Sequence, residues 1–345
     1  MHRCLHLALS GAGKVAPNPM VGAVLVHNGN IIGEGYHQQY GQTHAEVNCI
    51  ESVQEQDKAL ILKSTLYVSL EPCAHFGKTP PCADLIISQK IPRVVIGCSD
   101  SYKKVNGKGI EKLLAAGIEV ITGILEAEAK EINKRFFTFH QLARPYIILK
   151  WAQSNDHKIA YADFSRVMIS GDITNRLVHK WRSEEAAIMI GTNTALHDNP
   201  TLNTRLWPGK NPVRIVIDKN LQLAASSNLL TGGASTIIFN NKKNEEIDGI
   251  IYKKTDPLKA ILPQVLQQLH LHNINSVLVE GGAKLLQSFI DAGVWDEARV
   301  ITNEQLIIGD GITAPVLKNE ALIKTAKPGT DLIQYFKPLP THLSH

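Results

Sequence analysis

Apolar positions along the chain recur with two periods that alternate in short blocks. Continuous or alternating apolar runs at 21–26, 31–36, 65–70, 93–98 and 118–122 predict strands. Helices are predicted at 2–9, from His44 (apolar at Ala45, Val47, Ile50 and Val53), after the glycine-bearing loop 106–109, and from Glu126. Asn28-Gly29 is a hairpin signal, and Ala16-Pro17-Asn18-Pro19 a turn. Arg144-Pro145 marks a boundary, after which the pattern restarts. Strands are expected at 146–151, 167–169, 187–190, 214–218, 236–239 and 276–280. Helices are expected at 172–183, capped by Ser170 or Asp172, from Leu258, and at 283–291. Residues 154–158 and 191–194 read as loops, His197-Asp198-Asn199-Pro200 as a turn, and the tail from Pro338 as a poorly ordered end. Strands alternating with helices predict α/β layers in two domains, 1–143 and 144–345.

The length agrees with that division, because 345 residues exceed what one hydrophobic core usually serves. With 44% hydrophobic and 20% charged residues, the composition is that of a folded protein, and no apolar run is long enough to span a bilayer. Five cysteines without framework spacing argue for a reducing compartment, read as the cytoplasm. The net charge of +4 is small for this length, and no stretch interleaves clustered Lys/Arg with aromatics. No nucleic-acid or membrane partner is therefore expected; a small phosphorylated ligand is, and a homo-oligomer is allowed.

Candidate chemistry concentrates at His44-Ala45-Glu46, Glu71-Pro72-Cys73 and Cys82. One imidazole and two thiolates fill three positions of tetrahedral Zn²⁺ and leave the fourth for water. Glu46 is then the general acid/base candidate. Eight residues separate the cysteines, a longer loop than the common Cys-x-x-Cys. A closed structural site remains the alternative, with His75 or Cys49 as fourth ligand. In the second half, Gly281-Gly282 between a strand and a helix start suits a phosphate on backbone N–H groups, although tight-turn glycines produce the same pattern.

These residues carry a resemblance along essentially the whole chain. Pro17-Asn18-Pro19-Met20-Val21-Gly22-Ala23-Val24, Thr43-His44-Ala45-Glu46-Val47 and Leu70-Glu71-Pro72-Cys73 through Cys82 resemble the bifunctional deaminase/reductase family of riboflavin biosynthesis. So do Ile190-Gly191-Thr192-Asn193-Thr194, Asp198-Asn199-Pro200-Thr201-Leu202 with Arg205, and Val279-Glu280-Gly281-Gly282. The resemblance implies a cytidine-deaminase-like α/β/α domain followed by a dihydrofolate-reductase-like α/β domain. It also implies zinc on His44, Cys73 and Cys82, with Glu46 as proton shuttle. Asn18 and Lys78 would hold the pyrimidine ribosyl phosphate. NADPH would contact Ala152, Met168, Thr194, Asp198, Gly282, Ala283, Lys284, Leu285, Leu286, Gln287 and Ser288. The reductase substrate would meet Lys150, Arg166, Arg182, Leu202, Arg205 and Glu280. The implied reactions are hydrolytic loss of an amino group from a diaminopyrimidinone ribosyl phosphate, then NADPH reduction of ribosyl to ribityl.

The chain departs from the family pattern at Asp100-Ser101-Tyr102-Lys103, where Asp-Pro-Asn-Pro is common, so Lys103, Lys104 or Asn106 would take over the phosphate. His157 replaces a usual glycine, and Met168 stands where tryptophan is common. The chain also starts a few residues later than many relatives. Two other readings share the zinc motif: a nucleic-acid-editing deaminase with an RNA-binding second domain, and a zinc-stabilised binding protein without turnover.

Overall fold

The computed structural model describes residues 1–76, 80–100, 107–165, 167–231 and 233–339, which fall into two compact units, Met1–Arg144 and Pro145–His345. Lys78, Ser101 to Asn106 and Arg166, named above, lie outside the described residues, as do 340–345. Among the described residues, no helix is long and apolar enough to cross a membrane.

The first unit is built on strands β1 (Gly22–His27), β2 (Asn30–Tyr36), β3 (Thr65–Leu70), β4 (Arg93–Cys98) and β5 (Glu119–Ile121), in the order β2-β1-β3-β4-β5. The β1–β2 hairpin turns at Asn28 and Gly29, both with positive φ (48° and 80°), as a two-residue turn matched to strand twist requires. Helices are α1 (His2–Leu9), α2 (Ala45–Glu51), α3 (Cys82–Ser88), α4 (Lys108–Ala115), α5 (Glu126–Ile132) and α6 (Lys134–Gln141). One sheet face, with Leu25, Leu66 and Ile96 fully buried, packs on Cys49 of α2, Ile86 of α3 and Leu113 of α4. Leu70 and Cys98 instead pack on Leu5 of α1, Ala129 of α5 and Phe136 and Phe137 of α6. The result is three layers, α/β/α. A 3₁₀ segment, Glu55–Lys63, that the apolar pattern does not announce joins α2 to β3.

The second unit has β6 (Tyr146–Ser154), β7 (Lys158–Tyr161), β8 (Ala187–Gly191), β9 (Val213–Ile217), β10 (Thr236–Asn240), β11 (Glu245–Ile247), β12 (Ile250–Lys254) and β13 (Ser276–Val279). After these come β14 (Glu297–Asn303), β15 (Gly311–Thr313), β16 (Glu320–Ala326) and β17 (Asp331–Pro338). Ten of them form one sheet, β11-β12-β10-β9-β8-β13-β6-β14-β17-β16, parallel from β12 to β14, while β15 pairs with β7. Its helices are α7 (Asp172–Glu184), α8 (Thr192–Asp198), α9 (Asn228–Thr231), α10 (Ile261–Leu271) and α11 (Ala283–Asp291). Leu149 and Val279 face α10 and α11, whereas Ile148 faces Val178 and Trp181 of α7, and Ile190 faces Ala195 of α8. A parallel sheet covered on both faces explains the near-continuous apolar strands.

Four expectations need correction. Residues 167–169 form no strand; Ile169 is held through its carbonyl, which accepts from Asn303 Nδ2 at 2.7 Å. Residues 192–194 are not loop but the first turn of α8, anchored by Thr192 Oγ1 donating to the Ile217 carbonyl at 2.6 Å. Neither Ser170 nor Asp172 caps α7: Gly171 is the N-cap residue, and its N–H donates to Asp331 Oδ2 at 2.8 Å. Pro338 is the last residue of β17 rather than the start of a loose tail.

Candidate active sites

In the first unit, the C-terminal end of β3 and the N-termini of α2 and α3 converge. His44 is the N-cap residue of α2, Cys82 is the first residue of α3, and Cys73 lies in the loop after β3. Their ligand atoms lie within 4.8 Å of one another. His44 Nδ1 is 3.6 Å from Cys73 Sγ and 3.3 Å from Cys82 Sγ. With Zn–S near 2.3 Å and Zn–N near 2.0–2.1 Å, a tetrahedron has an N···S edge of about 3.6 Å, so the three residues fit a zinc ion. Among the described residues no further His, Cys, Asp or Glu joins the set. Cys49 is wholly buried in the core between α2 and the sheet, and His75 stays outside the cluster. Among the described residues, a closed four-ligand site therefore lacks its fourth residue.

The electrostatics suit a cation. Hydrogen bonding from Cys82, aided by His44, lowers the Cys73 thiol, while the facing sulfur and burial raise Cys82. The Cys82 N–H also donates to Cys73 Sγ at 3.3 Å, placing the thiolate at a helix start. Glu46, 3% exposed in the first turn of α2, is raised to about 7 by burial, with His44 pulling the other way. A carboxyl poised near neutrality can both take and return a proton.

Two residues to which the sequence reading assigned no role support this site. Glu71 is 4% exposed and accepts four backbone N–H groups: Asp100 (3.1 Å) and Gly107 (3.1 Å) on Oε2, Gly109 (3.0 Å) and Ile110 (3.4 Å) on Oε1. It thereby holds Asp100 and Gly107 on one oxygen and caps α4, immediately before the Pro72-Cys73 loop. His37, 3% exposed, contacts Asn18 Nδ2 at 3.2 Å and the Thr43 carbonyl at 3.0 Å. The Asn18 turn is fixed from behind by Asn133, which bonds both the N–H and the carbonyl of Met20 (2.8 and 2.9 Å). Only its position directly before Pro-Cys could have singled out Glu71, and no spacing ties His37 to Asn18.

In the second unit, β6, α7, the loop after α8 and the end of β13 bring Lys150, Arg182, Arg205 and Glu280 together. Arg182 forks onto Glu280 through Nε and Nη2, both at 2.7 Å, and its Nη1 donates to the Asn203 carbonyl at 3.2 Å. Lys150 Nζ is 3.7 Å from Glu280 Oε2. Burial would raise the Glu280 carboxyl, but Arg182 and then Lys150 outweigh it and hold it at about 2. Burial lowers Lys150 against the pull of Glu280. His179, one helical turn before Arg182 and absent from the sequence expectations, is held at about 4 by burial, with Arg182 and Arg205 adding repulsion. Arg205 is more open, donating to Asn203 Oδ1 at 3.0 Å. The Leu202 side chain, expected at substrate, is 4% exposed and packs with Ile188 and Val216; what it contributes is a left-handed backbone (φ 51°) that presents Asn203.

The glycine turn lies at the C-terminal end of β13. Thr194 Oγ1 accepts the Gly282 N–H at 2.9 Å, and a Cβ on Gly281 would meet Thr194 Cγ2 at 3.0 Å, so the turn fits tightly against α8. Beyond it, Leu285 and Leu286 N–H groups return to the Gly282 carbonyl, Leu286 is 1% exposed in the core, Ser288 Oγ donates to the Leu285 carbonyl, and Gln287 brackets Val316. Ala283 and Lys284 are left to present first-turn N–H groups to an anion. Met168 is 65% exposed, Asp198 ends α8 on the surface, and Ala152 lies two residues after Lys150 on the same β6 face.

Comparison with known proteins agrees with both halves. Residues 1–98 match the cytidine and deoxycytidylate deaminase zinc-binding region, and residues 145–326 match the RibD C-terminal domain. The riboflavin biosynthesis protein RibD of Aquifex aeolicus (strain VF5) is 40% identical, over 98% of this chain and 97% of its own. That of Escherichia coli (strain K12) is 34% identical over 90% and 88%. A solved Thermotoga maritima structure, a diaminohydroxyphosphoribosylaminopyrimidine deaminase/5-amino-6-(5-phosphoribosylamino)uracil reductase, superposes with a TM-score of 0.90 at 36% identity, covering 98% and 97%. Fold and sites thus define a zinc-type deaminase fused to a reductase, two enzymes on one chain. The chain belongs to the riboflavin biosynthesis protein RibD family, whose members pair those activities in one pathway.

Proposed function

We propose that the Met1–Arg144 unit removes an exocyclic amino group from a diaminopyrimidinone ribosyl phosphate by hydrolysis. The Pro145–His345 unit then reduces the ribosyl to a ribityl chain with NADPH. The observation that carries this reading is the convergence of His44, Cys73 and Cys82 beside a buried Glu46. Zinc held by those three supplies Lewis acidity and a water acidic enough to attack at neutral pH. Glu46 takes a proton from the attacking water and returns it to the departing nitrogen, so water enters and ammonia leaves. Asn18 meets the pyrimidine ribosyl moiety, with Lys78 as a further contact from the sequence.

In the reductase unit, NADPH supplies the hydride. Thr194 braces Gly282 in the turn from which Ala283 and Lys284 hold its phosphate, and Ala152, Met168 and Asp198 flank it. Arg205 binds the substrate phosphate. Arg182 is committed to Glu280, so this pair, with Lys150, shapes the ribosyl end of the pocket. We infer a cytoplasmic setting, since two thiolate ligands need reduced cysteines.

Purified full-length protein incubated with the diaminopyrimidinone ribosyl phosphate, with and without NADPH, tests the proposal by mass spectrometry. Exchange of one amino group for oxygen is expected without NADPH, and a further gain of a hydrogen pair with it. Unchanged substrate in both samples would overturn the reading.

A further inference from the structure

His37 has one ring nitrogen against a group whose role is fixed. Its Nδ1 lies 3.0 Å from the Thr43 carbonyl, which can only accept, so Nδ1 carries the proton. In the neutral ring Nε2 is then a lone pair, and the Asn18 atom 3.2 Å away has to donate. The amide is thereby assigned: its NH₂ faces His37 and its oxygen faces away. Thr43 is itself tied to α2, its Oγ1 donating to Asn48 Oδ1 at 2.6 Å while Asn48 Nδ2 donates to the Tyr36 carbonyl at 2.8 Å. The His37 ring stands edge-on to His44, with centroids 5.5 Å apart, which puts this chain of bonds beside the ligand set.

We propose that His37 is a positioning residue that locks the Asn18 amide, through an Nδ1–H tautomer fixed by Thr43, so that only its oxygen faces the pyrimidine. The proposal rests on Asn18 being a substrate contact. An amide free to rotate offers either an oxygen or an NH₂ and distinguishes poorly between donor and acceptor partners. Locked, it selects substrates that present an N–H or O–H at that point, which amino groups, ring N–H and ribosyl hydroxyls all do. Losing such a neutral hydrogen bond should weaken binding about 3- to 10-fold.

Two measurements on the zinc-loaded full-length protein test it. Long-range ¹H–¹⁵N spectra of histidine-labelled protein, with His37→Gln for assignment, should show His37 as the neutral Nδ1–H tautomer. An Nε2–H tautomer or a doubly protonated ring at neutral pH would overturn the proposal, whatever any variant does. The deamination KM and kcat, measured without NADPH so that only the first unit turns over, are then compared for Asn18→Ala, His37→Phe and the double variant, with KM as the measure of binding. Each single change should weaken binding and raise KM about 3- to 10-fold with kcat and zinc content kept, and the double variant should be no worse than Asn18→Ala. Additive losses, or wild-type binding in His37→Phe, would show that His37 does not act through Asn18. Zinc loss in His37→Phe would assign the ring to the metal site instead. Wild-type binding in Asn18→Ala would remove the reading of Asn18 itself, and this proposal with it.

Discussion

Glu280→Gln should unfold the second unit far more readily while sparing the first. Glu280 accepts two charge-assisted bonds from Arg182 at 2.7 Å, faces Lys150 at 3.7 Å, and its side chain is 7% exposed. Its pKa falls from an ordinary 4.5 to about 2, and at about 1.4 kcal/mol per pKa unit that difference is worth roughly 3 kcal/mol. Breaking one partner of a buried ion pair independently suggests about 3–5 kcal/mol. Because the folded-state pKa is depressed, the stabilisation is complete above about pH 4.5 and is lost as pH falls towards 2. The gap between wild type and variant should therefore be widest at neutral pH and narrow below 4.5. All four tryptophans, Trp151, Trp181, Trp207 and Trp295, lie in the second unit, so tryptophan fluorescence in urea reads this unit alone. The midpoint should fall with the slope unchanged, reduction should be lost and deamination kept. A gap below about 1 kcal/mol at pH 7, or one that does not narrow in acid, would refute the ionised-anchor reasoning.

Three further outcomes are expected. Cys73→Ser should lose zinc and deamination together, because a hydroxyl is a poor substitute for thiolate; metal analysis of the purified variant checks this. Glu46→Gln should slow deamination at least about 10²-fold while pre-deaminated substrate is still reduced, and equal failure of both steps would contradict the division of labour. Arg205→Ala should raise the reductase KM for the ribosyl phosphate about 10- to 100-fold, with NADPH affinity barely changed. The penalty should shrink with dephosphorylated substrate; equal losses would mean that Arg205 serves its own loop, through Thr201 and Asn203.

What could be read in the sequence was whatever is decided locally. Asn28-Gly29 contains its own turn, α11 occupies the interval that its apolar period predicts, and the two deaminase motifs name their ligands. Elements held from a distance were misread or missed. Thr192-Asn193-Thr194 has turn-forming residues, yet becomes helix because Thr192 reaches the end of β9 and Ala195 enters the core. Strand β14 was not foreseen, since its pairing with β6 reaches back about 150 residues in sequence. The Arg182–Glu280 fork likewise joins residues 98 positions apart, and only folding puts the glutamate within reach of an arginine expected at the substrate. Lys78, Arg166 and the altered segment after Asp100 lie outside the described residues.

The Glu71 carboxylate has an evolutionary corollary. By gripping Asp100 and Gly107 on a single oxygen, it works as a clasp that closes on main chain alone. Both bonds come from backbone N–H groups, so the grip does not depend on which side chain sits at either anchor. Side chains can thus change around this clasp over evolutionary time without loosening the carboxylate that directly precedes the Pro72-Cys73 loop.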